Sequence, residues 1–298
     1  MSPLANENRT RMTMASPGWR LQIRHRTGFQ YGGLVASSYN EARMTPGSEP
    51  RQTVLDSRVT VWPTARTYRY QDYWNTTVTS FDVQVPHDVL EVVADATVET
   101  SGPAAIGTDG PRWPDLTEPE VVDRWQELLL PTPRTALDEE LTALAAGLRA
   151  GHASPDEAAL AVCELVGREV AYVPGSTGVQ TDAVHVWRQK QGVCQDISHL
   201  SISLLRAMGV PARYVSGYLH PTPNAPLGQA VAGQSHAWVE WWAGQWHGYD
   251  PTNRVPVGER HVVVGRGRDY GDVPPLKGVY AGPSSTGQSV EVTLTRVR

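Results

Sequence analysis

The amino-acid sequence predicts an α+β protein, in which a β-sandwich-like N-terminal domain is followed by a domain of helices and strands. Between residues 18 and 100, short segments such as 78–85 alternate apolar and polar residues, which is typical of half-buried strands. Alanine- and leucine-rich helical segments begin near Asp138, and alternation returns from Ala212. Because the helices precede the later strands rather than alternating with them, this order favours an α+β fold over a parallel α/β fold.

Three parts are predicted along the chain. Residues 18–100 form the β-rich N-terminal domain, and residues 138–298 form the second domain. Residues 101–137 are rich in proline and glycine, and we interpret them as a connector with one short helix at 118–130. The alternating residues 289–294 predict a last strand that packs back on a sheet.

Charge and hydropathy argue against several classes of partner. The 298 residues include 26 Lys and Arg against 31 Asp and Glu, a net charge of −5, and the basic residues are scattered. Neither nucleic acid nor a membrane is therefore an expected partner. No segment approaches the roughly 18 apolar residues of a membrane helix, and the first 18 residues lack the apolar core of a secretory signal. We expect a cytoplasmic protein with reduced thiols, and the sequence leaves its oligomeric state open.

Cys194 is the predicted nucleophile. It follows a glycine and begins a segment in which Ile197, Leu200 and Leu204 recur at helical spacing. The free N–H groups and the positive dipole at a helix N-terminus favour thiolate over thiol. The backbone N–H of Cys194 can also donate to an oxyanion, so one feature serves both the nucleophile and the transition state. Cys163 lies among apolar residues of another helix and is interpreted as a core thiol.

A cysteine nucleophile needs a base and a third group that orients the base. Residues 235–242 and 245–250 predict a hairpin that carries His236 and Asp250 on the same face. The predicted register pairs Trp241 with Gln245, so that His236 lies directly opposite Asp250 across a three-residue loop that ends in a glycine. Asp250 would then fix the imidazole tautomer, as the carboxylate does in serine-type triads.

Other readings of these segments are weaker. His247 is the rival base, but it is placed opposite Glu240 in this hairpin. Residues 233–237 nearly match a G-x-S-x-G elbow, which requires a following helix where this sequence predicts a strand. Residues 265–267 lack the helix and the downstream acid of a dinucleotide-binding site. Tyr172, upstream of the nucleophile, is a candidate second oxyanion donor.

Three motifs together resemble the transglutaminase-like superfamily, and in particular the bacterial transglutaminase-like cysteine proteases. They are residues 192–196 with the following helix through 206–218, residues 235–240 and residues 250–252. The resemblance implies a papain-like core, with Cys194 as nucleophile, His236 as general base and acid, and Asp250 as the orienting residue. Animal members use calcium, but no acidic loop with EF-hand spacing is present, so neither a metal nor a cofactor is predicted.

The β-rich part resembles the N-terminal region that bacterial members of this group carry. Arg43, Pro46, Asp72 and Asn75 lie in recognisable places, whereas residues 73–74 depart from the usual Phe-Gly. The resemblance therefore extends over most of the chain.

The predicted function is thiol-dependent acyl transfer on peptide or isopeptide amides through a thioester acyl-enzyme. Family members cross-link glutamine to amines, deamidate it or hydrolyse peptide bonds. We favour hydrolysis because Trp238 and Trp246 alone share the predicted catalytic face, with Trp241 on the other face and Trp242 in the turn. An aromatic, water-excluding channel is therefore not expected. Amine transfer to protein glutamine, amide ligation with a partner enzyme and an inactive peptide-binding scaffold remain open, and the expected partner is a peptide or protein substrate.

Overall fold

The first part of the chain forms six antiparallel strands, as the alternation predicts. A computed structural model describes residues 18–103 and 110–298. The strands are β1 (Trp19–Val35), β2 (Ser37–Ala42), β3 (Gln52–Trp62), β4 (Thr67–Gln71), β5 (Thr77–Val83) and β6 (His87–Thr100). They belong to two sheets, and buried residues from both, such as Leu90 and Phe81, form one core cluster. The β-sandwich-like prediction is therefore confirmed.

Within residues 110–298 the structure contains five α-helices. They are α1 (Pro119–Leu129), α2 (Glu139–Gly151), α3 (Pro155–Glu169), α4 (Ala183–Gln189) and α5 (Cys194–Ala207). Asp138 caps α2 by accepting from the Leu141 amide, and Ser154 caps α3 by accepting from the Glu157 amide. The sequence predicted all of these helices except α4.

The remaining strands are β7 (Ala171–Tyr172), β8 (Gln191–Gly192), β9 (Ala212–Leu219), β10 (Ala230–Trp242), β11 (Trp246–Asp250), β12 (Val255–Pro256), β13 (His261–Gly267), β14 (Leu276–Ala281) and β15 (Ser285–Arg296). A nine-stranded sheet runs in the order β12-β11-β10-β15-β1-β6-β3, with β9 pairing to both β10 and β13. The second sheet runs in the order β14-β2-β5-β4, and β7 pairs with β8. The combination of large sheets with a separate helical layer confirms the α+β class.

Both large sheets continue from the first part of the chain into the second. Ala230–Gly233 of β10 pair with β15, while residues 234–241 of the same strand pair with β9. On its other edge, β15 pairs with β1 from Leu21↔Arg296 onward. The predicted domain boundaries at residues 100 and 138 stay a prediction. Strand β15, from the predicted second domain, pairs with β1 of the predicted first domain.

Helix α5 lies at the centre of the largest core cluster. Ile197, Leu200, Leu204 and Leu205 are at most 1% exposed, and α2, α3 and α4 pack around them. Burial of each such side chain stabilises the fold by about 1.5–3 kcal/mol, so the helix N-terminus is firmly placed. Within residues 18–103 and 110–298, no helix has the length and apolar character needed to cross a bilayer. The cytoplasmic location stays a prediction.

Candidate active site

Cys194 is the first residue of α5, as predicted. The preceding Val193 is the N-cap residue, and its N–H donates to the Asp196 carboxylate at 2.8 Å. Asp196 is fully buried and also accepts from the Thr177 hydroxyl, which holds the carboxylate in its capping position. Neither the Cys194 nor the Gln195 amide hydrogen-bonds to an acceptor in the described residues. Two N–H groups are therefore available beside the thiol, as an oxyanion hole requires.

The structure brings His236 and Asp250 together on adjacent strands. The Nε2 atom of His236, on β10, lies 2.7 Å from Oδ2 of Asp250, at the end of β11. This contact leaves the Nδ1 atom of His236 for the nucleophile. Cys194 and His236 line the same cavity, and the described structure thus assembles the three predicted residues.

The hairpin register differs from the predicted one by two residues. Trp241 pairs with His247 rather than Gln245, and Trp242 pairs with Trp246, so Trp242 lies in the strand and not in the turn. The loop comprises residues 243–245, with Gly244 at a φ of +78°. Trp125 packs against both Trp242 and Trp246, with ring centroids 5.9 and 5.0 Å away, and this aromatic cluster holds the observed register.

A shift of two residues leaves every side chain on its original face, which is why the catalytic pair still forms. His236 and Asp250 become diagonal rather than direct neighbours. His247 lies opposite Trp241, two residues from the Val239 that the predicted register sets against it, so its placement opposite Glu240 was wrong. Its ring lies 3.7 Å from Asp156 of α3, and among the described residues it does not line the cavity that holds Cys194 and His236, so the rival base is absent from the site.

Asp250 accepts hydrogen bonds from five donors. Oδ2 accepts from His236, from His261 Nε2 at 3.3 Å and from Asn253 Nδ2 at 2.8 Å. Oδ1 accepts from the backbone amides of Thr252 at 3.0 Å and Asn253 at 3.1 Å. Neither His261 nor Asn253 was predicted as a site residue from the sequence. The Asp-Pro-Thr-Asn segment after β11 was the available signal for Asn253, because an aspartate commonly caps the turn that follows it.

Burial and hydrogen bonding fix the protonation states. Burial alone would raise the pKa of Asp250, but hydrogen bonds from His236 and His261 hold that pKa well below its usual range. Burial alone would lower the pKa of His236, but the hydrogen bond to Asp250 and the neighbouring Cys194 thiol raise it to about 10. Burial lowers the pKa of His261. At neutral pH the site therefore holds a carboxylate between an imidazolium and a neutral imidazole.

The cavity beside Cys194 has a volume of about 430 Å³. Tyr172 lines it, because β7 pairs with β8 and sets Tyr172 opposite Gly192. The Tyr172 hydroxyl donates to Oε1 of Gln234 at 3.0 Å. Its assignment as an oxyanion donor stays a prediction, since this hydroxyl must leave Gln234 before it can serve the substrate.

The tryptophans near the catalytic hairpin do not line the cavity among the described residues. Trp238 is fully buried, with its ring 6.2 Å from that of His236 and 5.2 Å from that of His261. Trp246 packs on Trp125 and under the Arg213 guanidinium. Among the described residues that line the cavity, none is tryptophan. The aromatic residues that do line it are Tyr172, Tyr214 and Tyr270.

In the described residues, neither Cys163 nor any cluster of His, Cys, Asp and Glu side chains forms a second reactive or metal-binding site. Cys163 lies in the core of α3, and burial raises the pKa of its thiol, which confirms its position as a core residue. In the part of the chain that the structure describes, no cluster of three or more His, Cys, Asp or Glu side chains is placed to hold a metal ion.

Comparison with known families agrees with this geometry. The family model of the transglutaminase-like superfamily matches residues 142–251, which contain Cys194, His236 and Asp250. The model of the bacterial transglutaminase-like N-terminal region matches residues 21–99. The chain belongs to the transglutaminase-like superfamily.

Three proteins illustrate what the chain is similar to. An uncharacterized protein of Mycobacterium leprae is 43% identical over 279 residues, 94% of this chain and 99% of that protein. A protein-glutamine gamma-glutamyltransferase of Pseudomonas aeruginosa is 31% identical over 182 residues, 54% of this chain but 26% of that protein. The crystal structure of a candidate cysteine protease from Cytophaga hutchinsonii matches with a TM-score of 0.73 and 22% identity, over 95% of this chain and 99% of that one. At this identity the last comparison establishes the fold alone.

Proposed function

We propose that the chain is a cysteine-nucleophile hydrolase that acts on peptide or isopeptide amides. Cys194 is the nucleophile, His236 the general base and acid, and Asp250 the orienting residue. The observation that carries this proposal is the single cavity shared by Cys194 and His236, with His236 held at 2.7 Å by a buried carboxylate. A charged imidazole beside a thiol at a helix N-terminus is the arrangement that activates a cysteine at neutral pH.

The proposed reaction proceeds through a thioester. The Cys194 thiolate attacks the amide carbon, and the resulting oxyanion accepts hydrogen bonds from the backbone N–H groups of Cys194 and Gln195. The His236 imidazolium gives its proton to the leaving nitrogen, the C–N bond breaks, and an amine departs. His236, now neutral, takes a proton from water as the water oxygen attacks the thioester. The C–S bond then breaks, which releases a carboxylic acid and restores the thiolate–imidazolium pair.

Water is proposed as the acceptor because polar side chains that can hold water lie beside His236. Transfer to an amine requires a site that holds the amine and keeps water out. The described cavity walls include no tryptophan, and the second cavity beside His236, of about 350 Å³, is lined by Asn253, Thr252 and Gln234. These polar side chains can hydrogen-bond to water.

Amine transfer is the second candidate. Its support is the similarity to the Pseudomonas aeruginosa protein-glutamine gamma-glutamyltransferase, which extends over 54% of this chain. The same thioester would then be attacked by a lysine amine in place of water. Amide ligation with a partner enzyme and peptide binding without turnover are outcomes of the same experiment.

The test is product analysis on a peptide library, with and without a lysine analogue in excess, read by mass spectrometry. We expect acid products from the native chain and from Cys163→Ser, and none from Cys194→Ser. A majority of amide products would make the protein a transglutaminase in activity. Binding of peptides without any product in the native chain would support the scaffold.

A further inference from the structure

Strands β1 and β15 contribute one wall of the cavity. His25 and Thr27 of β1 and Gln288, Val290 and Val292 of β15 line the same cavity as Cys194. In the β1–β15 register His25 pairs with Val292, Thr27 with Val290 and Phe29 with Gln288. Directly opposed residues of antiparallel strands lie on one face, so these five side chains form a continuous surface, which we call the β1–β15 wall.

The nine-stranded sheet brings this wall to the nucleophile. Gly233 of β10 pairs with Val292 of β15, and His236 lies three residues further along β10. Because β10 continues from β15 to β9, the β1–β15 wall and the catalytic histidine are parts of one sheet.

The two faces of β1 and β15 differ sharply in charge. On the outer face Arg24 pairs with Asp95 at 3.1 Å, Arg26 pairs with Glu91, and Glu291 lies directly opposite Arg26. The alternation of β1 thus sends its arginines away from the cavity and His25 and Thr27 into it.

Apart from the His236 imidazolium at the reacting centre, the described cavity carries no counter-ion for a charged ligand. Of the described residues that line the cavity, none is Asp, Glu, Lys or Arg. His25 is held neutral, because burial lowers its pKa to about 4. Its two ring nitrogens are also engaged, Nδ1 with the Tyr218 hydroxyl at 3.0 Å and Nε2 with the Thr27 hydroxyl at 3.2 Å. At the rim, Val290 is 53% exposed and offers an apolar surface.

We propose that the β1–β15 wall is the substrate-recognition surface of this site, and that it selects uncharged side chains next to the reacting amide. The inference rests on the proposed function and names its substrate class. A charged side chain that lies against the β1–β15 wall loses hydration and gains no opposite charge from the wall, which costs binding free energy. An uncharged side chain loses less, and its carbon atoms gain contact with Val290 and Leu276.

The test uses the rate at which Cys194 is alkylated by peptidyl chloroacetamides that differ in one residue, Leu, Gln, Glu or Lys. The full chain is compared with Val290→Lys and Val290→Glu, which place a charge on the wall. Ser289→Lys and Ser289→Glu place the same charges at the adjacent exposed position, on the opposite face of β15. Site-specific alkylation is verified by mass spectrometry and by its loss in Cys194→Ser.

We expect the native chain to react faster with the Leu and Gln probes than with the Glu and Lys probes. Val290→Lys should raise the rate for the Glu probe relative to the Lys probe by about threefold to fivefold, the size expected for one partly solvated charge pair, and Val290→Glu should do the reverse. The Ser289 variants should keep the native order. Equal native rates for all four probes, or equal effects at positions 289 and 290, would overturn the proposal.

Alkylation requires only the thiol and no amide turnover. A probe preference without any hydrolysis of peptide amides would therefore reject the proposed function and leave the β1–β15 wall as a recognition surface. Hydrolysis of peptide amides without any probe preference would support the proposed function and reject the β1–β15 wall as a recognition surface.

Discussion

The imidazole of His261 lies with its Nε2 atom 3.3 Å from Oδ2 of Asp250, the same oxygen that contacts His236. The Nδ1 atom of His261 accepts from the Gly258 amide at 3.2 Å, so the ring proton is on Nε2 and points at the carboxylate. Since burial lowers its pKa, His261 stays neutral. It acts as a fixed donor that orients Asp250, and through Asp250 the base His236.

The first prediction concerns this donor. We expect His261→Leu to lower kcat by about tenfold to hundredfold, the range for a lost hydrogen bond to a charged group, with little change in KM. His261→Gln keeps an N–H group within reach of Asp250 and should recover most of the activity. Steady-state kinetics with melting temperatures would check this. Equal losses in the two variants would assign His261 a packing role alone.

The second prediction concerns the two thiols. Iodoacetamide should modify Cys194 in the folded protein and leave Cys163 untouched, because Cys163 is fully buried and burial raises its pKa. Peptide mapping after labelling across pH 6 to 9 would measure this. Cys163→Ser is the matched control and should label as the native chain does. Preferential labelling of Cys163 would contradict the assignment.

The third prediction concerns stability at alkaline pH. The folded-state pKa of His236 is raised to about 10, from about 6.5 in an unfolded chain. Its contribution to the free energy of unfolding is therefore fully present below pH 6.5 and is lost as pH rises toward 10. Urea unfolding at several pH values should show this decline in the native chain and a flatter one in His236→Gln. The exposed His185→Gln serves as control and should keep the native slope.

The fourth prediction concerns Tyr172. Because its hydroxyl donates to Gln234 while two backbone amides remain free beside the thiol, we expect Tyr172→Phe to lower kcat by less than about tenfold. Loss of a necessary oxyanion donor costs about 10²- to 10³-fold in kcat. A loss of that size, with KM unchanged and with Gln234→Leu near native activity, would assign Tyr172 to the oxyanion hole.

Local patterns in the sequence were sufficient to locate the main parts of the site. The start of α5 is encoded by a glycine before an amphipathic segment, and strand alternation places His236 and Asp250 on one face. Because a strand repeats every two residues, the face was predicted correctly although the register was wrong by two. The register depends on contacts from α1, through Trp125, which no pattern within the hairpin reveals.

Features that depend on distant pairing were not predictable in this way. His261 reaches Asp250 because β13 pairs with β9 and β9 pairs with β10, and nothing near His261 in sequence indicates that order. The β1–β15 wall likewise depends on pairing between strands at opposite ends of the described chain. The alternation of residues 24–27 predicts two faces, but only the sheet order shows which face meets the cavity.

The pairing of β1 with β15 has a consequence for the order in which the protein folds. Residues far apart in sequence pay a large loop-closure entropy before their contacts form, so such pairings are slow relative to local helices. During synthesis the helix that carries Cys194 can form while β15 is still inside the ribosome. The β1–β15 wall cannot exist until β15 has emerged. The nucleophile is therefore expected to be in place before the surface that would discriminate among its substrates.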